Sequence, residues 1–225
     1  MASPPGVPED RTLMSRGPDA PLTRDRIVSA AEDVLRRFGP AKATVVDVAR
    51  ALGVSHAAVY RHVATKAELR DLVVGRWAES TMAPLRAIAA KLSPAPERLR
   101  QLFDALIAVK RRRAAEDPEL FAAYRALAAD AESVVAAHLN ELVALGATII
   151  RSGVEKGTFR TVDPVAASRA LLFATSRFHH PMHAAEWADP AIDVVYDDVW
   201  RMLMDGLRVA KSAGRSSKQR RRQIP

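Results

Sequence analysis

Residues 44–66, TVVDVARALGVSHAAVYRHVATK, decide the fold of this chain. Thr44 can cap a short helix, because its hydroxyl can accept a hydrogen bond from a free amide of the first turn. An apolar face follows at helical spacing, formed by Val45, Val48, Ala49 and Leu52. Gly53 stands where the chain must reverse, and glycine adopts the left-handed backbone conformation at little cost. Ser55 can then cap a second helix, so the stretch predicts two short helices joined by a tight turn.

The outward face of the second helix combines polar and small side chains: His56, Ala57, Ala58, Tyr60, Arg61 and His62, with Lys66 just beyond its end. In a helix-turn-helix, the first residues of the second helix meet base edges in the major groove. Histidine can donate or accept a hydrogen bond there, and alanine suits the thymine methyl. Tyrosine, histidine and lysine suit phosphate oxygens. We assign a DNA-binding surface to Thr44, Val45, Ser55, His56, Ala57, Ala58, Tyr60, Arg61, His62 and Lys66.

An ordinary helical hairpin with polar residues facing water would share this spacing, because helix-glycine-helix patterns are common. Two features together favour the DNA-binding alternative. The first is the frame of caps, glycine turn and corner Val54. The second is the set of Tyr60, His62 and Lys66 on the outward side.

Around this stretch the chain resembles the TetR family of transcriptional regulators, over about residues 22–80. The resemblance rests on Thr23-Arg-Asp-Arg-Ile-Val-Ser-Ala-Ala, Phe38-Gly39, Thr44, Ala49–Val54, Tyr60-Arg-His-Val and Lys66-Ala-Glu-Leu. It implies an all-α subunit, with an N-terminal three-helix helix-turn-helix DNA-binding domain and a C-terminal helical ligand-binding and dimerisation domain. It also implies a homodimer, a palindromic double-stranded operator, and release from DNA by a small-molecule effector. Val63 replaces a phenylalanine common in the family, and base-facing residues vary, so the operator sequence does not carry over.

The composition is that of a globular chain with a sizeable core. Of the 225 residues 48% are hydrophobic, and no run of 18 apolar residues appears, so we expect no membrane span. The N-terminus lacks the apolar centre of a secretory signal, and cysteine is absent, which fits a cytoplasmic protein. We divide the chain into a flexible arm (1–21), the helix-turn-helix domain (22–80), a helical effector-binding and dimerisation domain (81–209) and a basic disordered tail (210–225).

The formal net charge of +8 is concentrated at the C-terminus. Residues 208–225 hold seven Lys or Arg residues and no Asp or Glu. Such a run is most often a solvated, disordered tail. The alternative is a salt-sensitive attraction to DNA that is blind to sequence, contributed by Lys218, Arg220, Arg221 and Arg222.

Helical periodicity continues along the chain, and no segment is typical of a strand. We expect Pro84 to kink or end a helix that begins near Lys66. Asp-Pro pairs at 117, 163 and 189 place a capping carboxylate before a first-turn proline. The basic run at 110–113 lies in the last turns of its helix, where we expect a solvated face. The other predicted helices are at about 23–38, 96–114, 118–129, 131–156, 164–180 and 190–209.

The effector site is predicted from chemistry alone. Ligand pockets between helices are lined by apolar and aromatic groups with a few polar ones. The candidates are Phe103, Ile107, Phe121, Tyr124, His138, Leu142, Phe173 and Arg177. Each residue type is also common in plain cores, so the identity of the ligand stays open. We expect no cofactor.

Histidines cluster in Arg177-Phe-His-His-Pro-Met-His183. His179 and His183 are four residues apart, a spacing that can hold a metal on a continuous helix. Pro181 between them argues against a regular helix, and Glu186 is the only close carboxylate. We therefore assign no metal site and interpret these histidines as structural.

Two apolar faces near the end of the chain can pair with their copies in a second subunit. Their predicted interface residues are Leu171, Leu172, Val195, Val199, Trp200 and Leu203. The alternative is that these faces complete the core of one subunit. A two-fold dimer would match a two-fold operator.

Two further function classes compete with a DNA-binding regulator. A protein that binds nucleic acid without sequence preference would rely on the basic tail. A histidine-dependent enzyme is the weakest alternative, because no nucleophile elbow, phosphate loop, dinucleotide fingerprint or metalloprotease motif is found. We assign no catalytic residue.

Overall fold

A computed structural model describes residues 21–209, which form ten α-helices and one 3-10 helix at Pro181–Glu186. Within this range the only β pairing is an isolated bridge between Phe159 and Arg208, so the all-α class is confirmed. The predicted tail and nearly all of the predicted arm lie outside the described residues. The helices are α1 (Arg24–Lys42), α2 (Val45–Leu52), α3 (His56–Tyr60), α4 (Lys66–Ala89), α5 (Ala95–Glu116), α6 (Pro118–Ala128), α7 (Glu132–Glu155), α8 (Pro164–Ala174), α9 (Ser176–His179) and α10 (Ile192–Leu207).

The chain divides into two compact units. The first unit runs to Ala83 and adds Val109–Leu139, and the second consists of Pro84–Ala108 and the chain from Asn140 onward. The first unit therefore contains α6 and the adjoining ends of α5 and α7 besides the three helices of the predicted DNA-binding domain.

The core of the first unit is formed where α1, α2, α3 and α6 meet. Ile27 and Val59 are 0% exposed, and complete burial of such a side chain stabilises the fold by about 1.5–3 kcal/mol. Helix α6 packs directly against α1. The Tyr124 hydroxyl donates a 2.6 Å hydrogen bond to Glu32 across that contact. The helix-turn-helix is thus one side of a larger core.

The second unit is held by an apolar core and by buried arginine. Its large apolar side chains that are completely buried are Leu85, Leu99, Ile149, Ile150, Phe159 and Phe178. Arg98 is buried, but its guanidinium donates to the carbonyl oxygens of Ala89 and Lys91 and to the Ser152 hydroxyl at 3.0–3.1 Å. The Arg98 Nε–H has no partner among the described residues, but the three bonds from the terminal nitrogens offset part of the cost of burying the charge and fix the loop before α5.

Two predicted helix ends near prolines differ in the structure. Gly39 has a φ of 72°, which breaks the regular part of α1 as predicted, and one further turn follows it. Helix α4 continues through Pro84 to Ala89, so of the two predicted alternatives, a kink or an end, Pro84 does not end this helix. A proline costs a helix one hydrogen bond, and a helix of 24 residues retains enough others to continue.

The prediction of a single helix at 164–180 is wrong. Helix α8 ends at Ala174, and the short α9 ends at His179. His180 has an extended backbone, because the ring of the following Pro181 disfavours the helical conformation at that position. Helix α10 begins at Ile192, because Asp189 accepts the Ala191 amide and forms a turn before the helix.

Helix α7 is the one helix within residues 21–209 whose length and composition would allow it to cross a membrane. Its most apolar 18-residue window has a mean hydropathy of 1.6. Core helices of water-soluble proteins meet the same criterion, and several residues of α7, among them Ile149 and Ile150, are completely buried.

Candidate nucleic-acid interface and ligand site

The predicted cap at Thr44 is present as a reciprocal pair. The Thr44 hydroxyl accepts the Asp47 amide at 3.2 Å, and the Asp47 carboxylate accepts the Thr44 amide at 3.2 Å. The Thr44 hydroxyl also donates to that carboxylate at 2.6 Å, which lowers the pKa of Asp47 below its ordinary value. Two free amides at the start of α2 are thereby satisfied, an arrangement that stabilises a helix start by about 1 kcal/mol.

The turn between α2 and α3 has the predicted geometry. Gly53 is left-handed, with φ 66° and ψ 28°, and its amide donates to Ala49 and Arg50. The Val54 amide also donates to Ala49, at 3.1 Å. The Ser55 hydroxyl accepts the Ala58 amide at 3.2 Å and caps α3. The start of α3 therefore has a fixed direction.

The side chains at the start and end of α3 face solvent. Ser55, His56, Ala57, Tyr60 and Arg61 are exposed, and Tyr60 retains 37% of its surface. The His56 and Tyr60 rings meet edge to face, with centroids 4.6 Å apart. Further polar groups with accessible surface flank them, with Thr44 and Lys66 exposed and His62 half-buried.

Two residues of the predicted DNA-binding surface are buried instead. Ala58 is 8% exposed, so its assignment to the outward face is wrong. Val45 is 7% exposed and belongs to the core of the first unit. Val45 lies three residues before the buried Val48 on one face of α2, as helical geometry requires. Ala58 and the completely buried Val59 together form the inward side of the short α3.

Sequence reasoning missed the residues that form hydrogen bonds to the backbone just after α3. Arg24 donates through Nε to the His62 carbonyl oxygen and through its terminal nitrogen to Glu68, both at 2.8 Å. Glu68 also accepts the Ala64 amide at 2.7 Å, and its own amide donates to Thr65. The Thr65-x-x-Glu68 spacing signals this cap. No local signal predicts that Arg24, 38 residues away, joins it.

The predicted effector residues separate between the two units. Phe121, Tyr124 and His138 belong to the first unit, whereas Phe103, Ile107 and Leu142 are core residues of the second. Two predicted lining residues are on the surface. Phe173 is 64% exposed, and Arg177 forms a surface ion pair with Glu186 at 2.6 Å. Neither side chain is enclosed by a core, and their lining role stays a prediction.

In the first unit, polar and aromatic groups surround the indole of Trp77. The ring centroid of Tyr124 lies 5.6 Å from that of Trp77, and that of His138 lies 6.3 Å away. The Lys110 ammonium is 5.0 Å from the same centroid, and the Arg113 guanidinium is 5.9 Å away. We call these five residues the Trp77 cluster. Sequence reasoning identified only its tyrosine and histidine.

Burial in the Trp77 cluster lowers the pKa of Lys110 and of His138. Lys110 is 5% exposed, contrary to the solvated face expected for the 110–113 run. Burial, assisted by the nearby charge of Arg113, lowers the pKa of Lys110 to about 8. Burial, assisted by the charge of Lys110, lowers the pKa of His138 to about 4. At neutral pH the histidine is therefore uncharged and the lysine is mostly charged.

A cavity of about 280 Å³ adjoins the cluster. Trp77, Arg113 and Tyr124 line it together with Glu32, Arg76, Ser80, Glu116, Asp117, Leu120 and Phe121. A second cavity of about 490 Å³ lies among α1, α2, α4 and α6, with a mostly apolar lining. Of these two cavities, the smaller combines aromatic walls with charged groups, as ligand sites do.

The histidine segment has structural contacts. His179 is buried, and its Nε2 lies 3.2 Å from the Leu172 carbonyl oxygen and 3.3 Å from the Thr175 hydroxyl. His183 bonds to Glu186 at 2.8 Å. Within residues 21–209 no three potential metal ligands cluster together.

The predicted dimer residues divide between core and surface. Leu171, Leu172 and Trp200 are 5–7% exposed and pack inside the second unit, so their assignment to a subunit interface is wrong. Val195 is 36% exposed, and Val199 and Leu203 are half-buried. The same two helices, α8 and α10, expose other apolar side chains, namely Val165, Phe173, Val194 and Met202.

Comparison with known families gives two matches. Residues 27–73 match the model described as bacterial regulatory proteins of the tetR family. Residues 95–200 match the model described as the C-terminal domain of tetracyclin repressor-like proteins. No curated protein matches the chain by sequence.

Solved structures share the fold over most of the chain. One is SmeT, the repressor of the multidrug efflux pump SmeDEF of Stenotrophomonas maltophilia, at 20% identity, covering 84% of this chain and 92% of SmeT, with a TM-score of 0.64. A TetR transcription regulator from Haloarcula marismortui is 22% identical, over 83% of this chain and 98% of its own, with a TM-score of 0.65. A complex of SmeT with triclosan aligns at 19% identity over 83% and 92%, with a TM-score of 0.63.

Proposed function

We propose that this chain, which belongs to the TetR family of transcriptional regulators, is a cytoplasmic repressor that binds a palindromic operator as a homodimer and leaves it when a small-molecule effector binds. The observation that supports this most is the start of α3, which is exposed, capped at Ser55 and fixed in direction by the left-handed Gly53. Family membership indicates a transcription factor rather than an enzyme.

The proposed contacts with DNA follow from position along α3. His56 and Ala57 stand in its first turn, where side chains reach base edges in the major groove. Tyr60, Arg61 and His62 stand at its end, where we propose contacts with phosphate oxygens. Exposed Thr44, Ser55 and Lys66 flank that surface at the starts of α2, α3 and α4, where we propose further contacts with phosphate oxygens. Val45 and Ala58 support these contacts from the core.

The proposed homodimer uses apolar surface on α8 and α10. Phe173 and Val194 are each 64% exposed, and Met202 is 77% exposed. Apolar surface of this extent on two helices of one unit is typical of a protein-protein interface. Half-buried Val199 and Leu203, with Val195, extend the same helix face. A two-fold interface would present two copies of α3 to the two halves of a palindrome.

The proposed effector acts through the first unit. Trp77 belongs to α4, which begins directly after α3, and Tyr124 belongs to α6, which packs on α1. The Tyr124 hydroxyl reaches Glu32 of α1 at 2.6 Å. A ligand that moves Trp77 would therefore displace helices that share a core with α3. The shift requires that the ligand bind the DNA-free state more tightly than the DNA-bound state.

Selection of bound sites from a random duplex library tests the function. We expect enrichment of one palindromic sequence, and bulk genomic DNA at equal mass should compete poorly for it. Equal competition by genomic DNA would contradict sequence-specific binding and support a protein that binds nucleic acid without preference.

Variants of α3 and α4 test the contacts. We expect His56→Ala to change which bases are selected. Lys66→Ala should weaken binding to all sequences alike and reduce the slope of log affinity against log salt by about 1. Tyr60→Phe should also weaken all sequences alike, by about tenfold. An unchanged base preference in His56→Ala would contradict its assignment to a base edge.

A further inference from the structure

The Trp77 cluster contains buried polar atoms without partners. Among residues 21–209, no hydrogen-bond partner lies within reach of the Trp77 indole N–H or of either ring nitrogen of His138, and all three atoms are sealed from solvent. Lys110 is 5% exposed, and its contact is with the face of the Trp77 ring rather than with a carboxylate of the described chain. Buried donors without acceptors are rare, because leaving them unpaired is costly.

The three carboxylates that line the adjoining cavity are already engaged. Glu32 accepts the Tyr124 hydroxyl, Asp117 pairs with Arg36 at 2.8 Å, and Glu116 pairs with Arg112 at 3.9 Å. Arg113 directs its hydrogen bonds to neutral oxygens, the Trp77 carbonyl and the Ser80 hydroxyl. The charge of Lys110 is therefore not balanced by an ion pair within the first unit.

The missing group has a definite chemistry. A carboxylate accepts hydrogen bonds and donates none, so it can satisfy an ammonium and an indole N–H together. It also neutralises the single buried ammonium, which a water molecule does not. One buried ammonium matches a monoanion. The adjoining cavity has Trp77 in its wall but not Lys110 or His138. It provides aromatic and apolar surface from Leu120, Phe121 and Tyr124 for the remainder of such a molecule.

We propose that the effector of this protein is an organic monocarboxylate, whose carboxylate binds Lys110 and the Trp77 indole N–H and whose apolar body occupies the cavity lined by Phe121 and Tyr124. The inference that this carboxylate releases the protein from DNA rests on the proposed function, whereas the inference that the carboxylate binds does not. His138 is neutral at physiological pH, so one of its ring nitrogens carries a hydrogen that a carboxylate can accept.

The probes are benzoate, phenylacetate, octanoate and decanoate, each compared with its neutral amide. Calorimetric titration of the full chain without DNA measures binding. We expect at least one carboxylate to bind ten times or more tightly than its amide, because a hydrogen bond to a charged group is about twice as strong as a neutral one. Lys110→Met should abolish this preference. Lys156→Met removes an exposed lysine of the second unit and should leave the preference unchanged.

The outcomes separate the two proposals. Equal binding of every carboxylate and its amide overturns the inference, and so does a preference that survives in Lys110→Met. If Lys110→Met does not fold, Trp77→Phe removes the indole N–H while keeping an aromatic ring and should reduce the preference at least threefold. A retained preference in Trp77→Phe also overturns the inference. Carboxylate binding without release of selected operator DNA contradicts the proposed function alone.

Discussion

The turn between α2 and α3 and the Trp77 cluster belong to the same unit but treat their polar groups in opposite ways. At the turn, Thr44, Asp47 and Ser55 satisfy the free amides of two helix starts, and Gly53 adopts the backbone that closes the corner. In the Trp77 cluster, the indole N–H and both nitrogens of His138 are buried without partners. The turn stabilises the fold, whereas the unpaired buried groups of the Trp77 cluster destabilise it.

This difference distinguishes the turn, which supports α3, from the Trp77 cluster, which is the proposed binding site. A region whose only role is to support α3 is more stable when every buried polar group in it has a hydrogen-bond partner. Groups left unpaired in a well-packed unit are destabilising unless a ligand completes them, and stability is commonly sacrificed at functional sites. The two regions should therefore respond differently to pH and to substitution.

Acidification should produce the largest effect. His138 is neutral in the folded protein, with a pKa of about 4, and the unfolded chain takes up the proton near 6.5. Stability is thus lost as the pH falls from 6.5 to 4, by about 3 kcal/mol. Lys110 stays protonated throughout this range. Chemical denaturation at pH 7 and pH 4 measures the loss, and His138→Leu should lose about 3 kcal/mol less than the parent. Equal losses in both proteins would contradict a buried neutral histidine.

Replacing the buried ammonium should stabilise the protein. With the pKa of Lys110 lowered from 10.5 to about 8, its charged form opposes folding at pH 7. Lys110→Met keeps an unbranched apolar chain that is one atom shorter, so we expect the free energy of unfolding at pH 7 to rise by about 2 kcal/mol after loss of the cation-π contact. The advantage over the parent should shrink as the pH rises from 8 to 10.5, where the parent lysine loses its charge. A destabilised Lys110→Met would show instead that the ammonium supports the fold.

Replacement of glycine by alanine at two positions tests the backbone conformation of the turn between α2 and α3. A Cβ at Gly53 or at Gly206 meets no atom within 4 Å, so backbone conformation decides the outcome. Gly53→Ala forces a side chain into the left-handed region and should cost about 1–2 kcal/mol. Gly206→Ala, inside α10, should instead gain about 0.5–1 kcal/mol. Denaturant unfolding measures both, and effects of the same sign would contradict the strain assigned to Gly53.

Prediction from sequence succeeded where the signal is local. The caps at Thr44 and Ser55 and the left-handed Gly53 were readable because each depends on residues within four positions. The break of the helix predicted at 164–180 was missed although Pro181 was noted, because the proline was used only against a metal site. The outward assignment of Ala58 failed because that surface was assigned from residue type and not from helical phase.

The ligand site was only partly predictable. Tyr124 and His138 were selected as aromatic and polar groups, but Trp77 was not selected, and Lys110 was assigned to solvent. A basic run at a helix end is usually solvated. Which of its members turns inward depends on the helices packed against it, and these come from distant parts of the chain. The same dependence sends Leu171 and Trp200 into the core and leaves Phe173 exposed.

By itself, the amino-acid sequence determined the all-α class, the helix-turn-helix and the family, because caps, turns and apolar periodicity act over a few residues. The tertiary structure alone decided which polar groups are buried without partners, which apolar faces are left exposed, and that Arg24 holds the exit of α3. These properties depend on contacts between residues far apart in the chain, and short-range patterns carry no information about such contacts.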